Sequence, residues 1–454
     1  MGGAKTAPGP RGDTLLGSTL DFKESPLEFI SYVHRAYGDV ARFRVGPGNW
    51  YLISHPEDIW DAMVRRPDVF VKPQIAKRLW EKFLGNGLLT LEGDDWKRMH
   101  RLVRPAFHRK RIEAYAETMV GYTHRMIDAM EPNSRIDFDG AMVSLTLEIV
   151  AKTLFDADVR EGAEQVGSAM HVLNEEMLNH IHMPIPVPRW WPSARNRRKI
   201  RAIENIEEIV RAVIEERRSE GTDRGDLLST LVLSETDDGE KMTDKEIRDQ
   251  AMTLFFAGHE TTAHAMTWAW YLLARHPTVT ARLHADIDAV TEGKPLTIAD
   301  LKELPYLDQV IKEAMRILPS VWVFMKQPTE DVELRGIRIP KGCQIMISPF
   351  VTHHDPRWFP SPETFDPDRF SPERVGDIPN GAYIPFSGGR RVCIGRNFAM
   401  MEAKLLIGSM LQRLQPSVPD DVIPVKQAVL SMQPLGGLPV DVQFRRPLLE
   451  AASK

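Results

Sequence analysis

The residues with the greatest chemical potential in this chain lie near its C-terminal end. The segment PFSGGRRVCIGRNFAMMEA, residues 385–403, presents Cys393 after a glycine-rich turn and just before a helical pattern. A cysteine acts as nucleophile or metal ligand only as its thiolate. Three features of the segment favour that form: free backbone N–H groups where the helix begins, the helix dipole, and the charges of Arg390 and Arg391. Gly388, Gly389 and Gly395 have no side chains, so a flat or bulky group can approach closely. The plain alternative is a buried structural cysteine. Cys343 is the only other cysteine. A disulfide framework is therefore excluded, as are cysteine-rich zinc and iron–sulfur sites, and a reducing compartment is favoured.

A second group lies in AGHETT, Ala257 to Thr262. In a helix the Thr261 hydroxyl can bond back to the carbonyl of Ala257, which loosens the local ladder. With Gly258 alongside, this makes a groove holding an acid, Glu260, next to an alcohol. The alternative is an ordinary packed helix with a surface glutamate. His259-Glu260 also looks like the start of the zinc motif H-E-x-x-H, but position 263 is alanine and His264 lies off that face. Glu313 and Arg316 sit three apart on one helical face, and Trp96 and His100 are one turn apart.

The elements that must position these groups are mostly helical. The 454 residues are 43% hydrophobic, 27% charged and 8% aromatic, an ordinary globular composition. Lys and Arg number 58 against 63 Asp and Glu, a net charge of −5, so no global basic field exists for gripping nucleic acid. No stretch approaches the roughly 20 apolar residues of a membrane span, and the N-terminus lacks a signal-peptide core. A soluble, cytoplasmic protein without a transmembrane anchor is expected. Residues 40–54 alternate as two strands around Gly-Pro-Gly, and residues 195–220 place Ile200, Ile203, Ile206, Ile209 and Val213 at helical spacing with a solvated charged face. Thr243 and Glu246 form a capping box, opening a helix that continues to about His276, where Pro277 stops it. At about 1.5 Å per residue such a helix runs roughly 48 Å and must cross the centre of its domain. After residue 330 come short strands, a loop over 355–390, a helix from about 394 to 414, and a segment, 428–444, that reads as a hairpin around Gly436-Gly437. The class is mainly α with a minor β portion, and a single domain over 1–454 is expected.

Phe386, Gly389, Arg391, Cys393 and Gly395 match F-x-x-G-x-R-x-C-x-G. This resembles the heme-binding loop of the cytochrome P450 superfamily, the heme-thiolate monooxygenases, in their soluble bacterial type. The resemblance covers residues 8–445, and its motifs follow the family order. It implies the P450 fold: a helix-rich domain with a long central helix and a small β-rich subdomain. It implies heme b, with Cys393 as axial iron ligand, Phe386 packed beside the sulfur, and Trp96, His100 and Arg391 facing the propionates. It makes Glu260 and Thr261 the pair that relays protons to O₂, and Glu313, Arg316 and Arg369 a structural triad. The family often has arginine where Lys326 stands, and lysine can neutralise a propionate without making the bidentate fork.

By the same resemblance, Trp80, Phe83, Phe256, Ala257, Val321, Val323 and Met432 line an apolar substrate pocket; several could instead be core. The expected reaction is O₂-dependent hydroxylation of an apolar small molecule, a terpenoid, fatty acid or steroid, with terpenoid or fatty acid first. The segment HMPIPVPRWW, residues 182–191, is either an access lid or a packed loop. No reductase is expected to be fused, so a separate ferredoxin, with its ferredoxin reductase, or a flavoprotein would supply electrons. His108, Arg109, Lys110, Arg111 and Arg396 are either its docking patch or plain surface charge. The alternatives are a heme-thiolate peroxygenase or isomerase, against which Glu260 and Thr261 argue, and a heme-thiolate sensor or ligand-binding protein without turnover.

Overall fold

A computed structural model describes residues 6–156, 193–236 and 238–445. Segment 182–191 lies outside them, as does the side chain of Phe83.

The helices that frame the site are α1 (Gln74–Leu84), α2 (Gly93–Val103), α3 (Phe138–Phe155), α4 (Ala194–Glu220), α5 (Asp244–Arg275), α6 (Pro305–Ile317) and α7 (Arg396–Arg413). The central one, α5, has 32 residues. The Thr243 hydroxyl accepts from the Glu246 amide and the Glu246 carboxylate accepts from the Thr243 amide, the reciprocal cap expected from the sequence. Its C-terminal half is buried on most sides because neighbours surround it. Phe138 of α3 stacks on Trp270 at 5.0 Å, and Trp268 donates its indole N–H to the Met432 carbonyl at 2.7 Å. The main core joins α5, α6 and α7, with Trp268, Leu307, Ile311, Leu405 and Leu406 all at or near zero exposure.

The β portion is small. Strands β1 (Val40–Val45), β2 (Gly48–Ile53), β3 (Phe70–Val71), β4 (Phe324–Pro328) and β5 (Gln344–Ile347) form one sheet in the order β1-β2-β5-β4-β3. The β2–β5 pair is parallel and the others antiparallel. Helix α4 spans the charged stretch as expected.

The C-terminal hairpin differs from expectation. Gly436 and Gly437 do turn, with φ of 81° and 84°. The strands on either side of that turn, however, do not pair with each other. Met432–Pro434 pairs backward with Lys426–Ala428, and Pro439–Asp441 pairs with Arg135–Asp137. Asp137 is the reason: its carboxylate accepts from the Leu438 amide at 3.0 Å and sits where a Cβ on Gly437 would fall.

Candidate active site

The loop before α7 is a short 3-10 turn, Gly389–Arg391, seated against the turn Asp61–Arg65. Gly389 has φ of 64°, and a Cβ there would lie 2.2 Å from the Met63 carbonyl oxygen, so no other residue fits. The Cys393 amide donates to the Phe386 carbonyl at 3.0 Å, which closes the loop and leaves the thiol exposed just before α7. Surrounding protein pushes the thiol pKa up, against the pull of the Gly395 amide and the Arg396 charge. This corrects the expectation that the loop alone favours thiolate. Arg390 is paired with Asp68 and Arg391 with Glu92, so neither charge is free for the sulfur. A thiolate here needs a positive partner, and a metal ion supplies one.

Arg391 joins Trp96 and His100. Its guanidinium carbon lies 4.1 Å from the Trp96 ring centroid, and the Trp96 and His100 rings are 4.8 Å apart. Arg391 Nη2 also donates to the Leu91 carbonyl at 2.9 Å, whereas Nη1 is buried without a partner among the described residues. Burial, with Arg104 and Arg391 nearby, pushes the His100 pKa down.

Two lysines belong to the same cluster. Lys326, on β4, is buried and pushed down to about 8, and Lys72 is pushed down to about 7. Burial is the main cause for both; Arg391 adds repulsion to each, which Glu92 offsets in part at Lys72 and outweighs at Lys326. Lys72 also donates to the Leu89 carbonyl. The sequence reading missed Lys72 because nothing in V-K-P marks a lysine for burial. Three cations around one carboxylate, with a guanidinium N–H unsatisfied, suit an acidic ligand group. The accessible thiol, the unpaired Arg391 N–H and the lysine pair together fit a heme with its propionates.

On α5 the Thr261 hydroxyl donates to the Ala257 carbonyl at 2.9 Å, as its spacing predicts. Thr262 does the same to Gly258 at 3.0 Å. Ala257 is exposed between buried Phe256 and buried His259 on the central helix. Ile394, beside Cys393, packs against the apolar cluster that contains Phe256. Glu260 is raised to about 7, first by burial and then by the Asp139 charge. A carboxyl poised near neutrality can both hold and release a proton.

Around this face, Trp80 meets Phe256 edge-on at 5.5 Å, and Val321 and Val323 are half-buried. Met432 does not belong with them. It has no exposed surface, because its amide donates to Ser320 and its carbonyl accepts from Trp268, which lock it into the core.

Glu313 accepts from Arg316 at 2.7 and 2.9 Å and from Arg369 at 3.2 Å, and all three are buried. Of the basic residues near the loop, Arg109 and Arg111 are engaged with Glu113 and Asp223, whereas His108, Lys110 and Arg396 are exposed.

A long central helix, a small sheet and an exposed cysteine at the start of a further helix together frame the site. The cytochrome P450 family model matches residues 7–438. Cyclooctatin synthase of Streptomyces melanosporofaciens is 38% identical over 435 residues, covering 95% of this chain and 94% of its own. Cyclooctat-9-en-7-ol 5-monooxygenase of the same organism is 35% identical, covering 90% and 88%. Pentalenene oxygenase of Streptomyces avermitilis is 34% identical, covering 94% and 95%. In fold, the chain resembles retinoic acid-bound cyanobacterial CYP120A1, with a TM-score of 0.86 at 24% identity over 97% of this chain and 100% of that one. The chain belongs to the cytochrome P450 family and is a monooxygenase of that family. Family membership implies a heme-thiolate cofactor and the use of O₂ with a redox partner. No helix among the described residues is long and apolar enough to cross a membrane.

Proposed function

We propose that this protein hydroxylates a cyclic terpenoid hydrocarbon or alcohol, using heme b held by Cys393 and electrons from a separate ferredoxin or flavoprotein. Two relatives are named for pentalenene and cyclooctat-9-en-7-ol, both cyclic alkene skeletons. The observation that carries the reading is the accessible Cys393 thiol at the start of α7, within reach of an anion-seeking cationic cluster.

In this reading Cys393 ligates the iron, while Arg391, Lys326, Lys72, Trp96 and His100 hold the propionates. Phe386, whose carbonyl accepts from the Cys393 amide, would pack beside the sulfur and tune it. The chemistry that heme supplies when bound is reductive activation of O₂ and oxidation of a C–H bond. The chain's own residues place the substrate and move protons. Trp80, Phe256, Ala257, Val321 and Val323 offer apolar contact, which orients a hydrocarbon without binding its polar competitors. The Thr261 hydroxyl gives its hydrogen to Ala257, so its lone pairs face outward as an acceptor. Glu260, titrating near neutrality, holds a proton and passes it toward Thr261. The exposed basic residues His108, Lys110 and Arg396 meet an acidic electron donor.

The test is turnover of a panel of cyclic terpenes and terpene alcohols with a ferredoxin, its reductase, NADPH and isotopically labelled O₂. The expected product carries one labelled oxygen. Thr261→Ala is expected to keep the substrate-induced heme shift while diverting NADPH into peroxide. Product from peroxide alone, with none from the reductase system, would overturn the reading in favour of a peroxygenase.

A further inference from the structure

Asp249 and Gln250 stand in the first turns of α5, seven residues before Phe256 and Ala257. Both are polar and both are buried. Buried polar groups must find partners, and here the partners are backbone groups of the segment Gly85–Leu91, which follows α1. The Asp249 carboxylate accepts from the Asn86 amide at 2.7 Å. The Gln250 side-chain oxygen accepts from the Leu88 amide at 2.9 Å, and its NH₂ donates to the Asn86 carbonyl at 3.2 Å. Gln250 thus serves this segment as a neighbouring strand serves a sheet, with one donor and one acceptor. A planar amide offers both, whereas a carboxylate only accepts.

The docking is close as well as bonded. A Cβ on Gly87 would fall 1.9 Å from the Thr253 hydroxyl oxygen and 2.8 Å from the Asp249 carbonyl oxygen, so the approach to α5 itself requires glycine there. Lys245 and Arg248 balance the Asp249 charge at 3.1 and 2.7 Å, and Arg248 also pairs with Glu207 of α4. The far edge of the segment is held by cations of the propionate cluster. Lys72 donates to the Leu89 carbonyl, and Arg391 donates to the Leu91 carbonyl at 2.9 Å. Trp80, Leu88, Leu89 and Leu91 pack against the apolar cluster that contains Phe256.

We propose that Asp249 and Gln250 are positioning residues for substrate. They strap the segment Gly85–Leu91 to α5 and so fix the wall formed by Trp80 and Leu88 against Phe256. They touch neither substrate nor heme and act through the backbone they hold. The docking stands on the bonds above; its effect on substrate rests on the monooxygenase reading.

Hydrogen exchange, read by mass spectrometry on the substrate-free holoprotein, tests the docking. Gln250→Leu removes both glutamine bonds, and Gly87→Ala pushes the segment off α5 without touching Asp249 or Gln250. Each is expected to speed exchange over residues 85–91 about tenfold, the effect of losing roughly one net hydrogen bond, with α6 and α7 exchanging as in the wild type. Unchanged exchange over 85–91, or equal acceleration throughout the core, would overturn the proposal. For a cyclic terpene that the wild type oxidises, both variants are expected to raise KM about tenfold and leave kcat within about twofold, the mark of lost ground-state positioning. An unchanged KM beside faster exchange would also overturn it. Absence of any wild-type product would count against the monooxygenase reading, and the exchange result would still decide the docking; if Gln250→Leu fails to fold, Gly87→Ala decides.

Discussion

Lys72, Lys326 and Arg391 gather three positive charges around Glu92. An acidic ligand group would restore both lysines toward their ordinary range, so binding takes up protons near neutral pH. The sign follows from the lowered values of about 7 and about 8: below that window both lysines are charged and attract an anion, and above it they lose their protons and the attraction fades. Heme retention is therefore expected to weaken as pH rises through and beyond the window, read by transfer to a competing apoglobin. Lys72→Met should speed that loss and lower affinity about tenfold, about 1.4 kcal/mol, the worth of one charge-assisted hydrogen bond. Retention indifferent to both pH and Lys72 would contradict this. At this scale the sequence was legible wherever chemistry is written in spacing. Cys393, Arg391, Trp96 and His100 could be read that way. Lys72 could not, because its surroundings are decided by distant segments, and it reads locally as an ordinary charged residue. Met432 failed for the opposite reason: apolar character does not distinguish a pocket wall from the core behind it.

At the level of elements, α5 was the most readable, since its cap, length and stop all lie within its own residues. Helix α6 depends on more distant partners. Glu313 neutralises Arg316 from its own helix and Arg369 from a loop 56 residues on, and Arg316 also donates to the His353 carbonyl at 2.9 Å. Removing the acid strands two buried guanidinium groups. Glu313→Gln is expected to cost about 3–5 kcal/mol in urea unfolding, the range for breaking a buried pair; a loss below about 1 kcal/mol, typical of surface pairs, would show that the arginines find other partners. The C-terminal turn shows where local reading stops. Gly436-Gly437 marks a reversal of the chain, but the strand partner, Arg135–Asp137, lies some 300 residues away, and only the folded chain brings its carboxylate to the Leu438 amide.

For the molecule as a whole, the long helix α5 packs against α7, the helix that follows the cysteine loop. The open face of α5 at Ala257 and the loop ending at Cys393 share an apolar cluster through Phe256 and Ile394. The mainly helical class was legible from periodicity, and the family from five fixed positions around one cysteine. The account stands on a sulfur–iron bond at Cys393. The most direct measurement is the absorption spectrum of the reduced, carbon monoxide-bound protein purified from cells that make heme. The account predicts the strongly red-shifted Soret band of thiolate ligation in the wild type and its absence in Cys393→Ala. A protein without heme, or a carbonyl spectrum like that of a histidine-ligated globin, would contradict it.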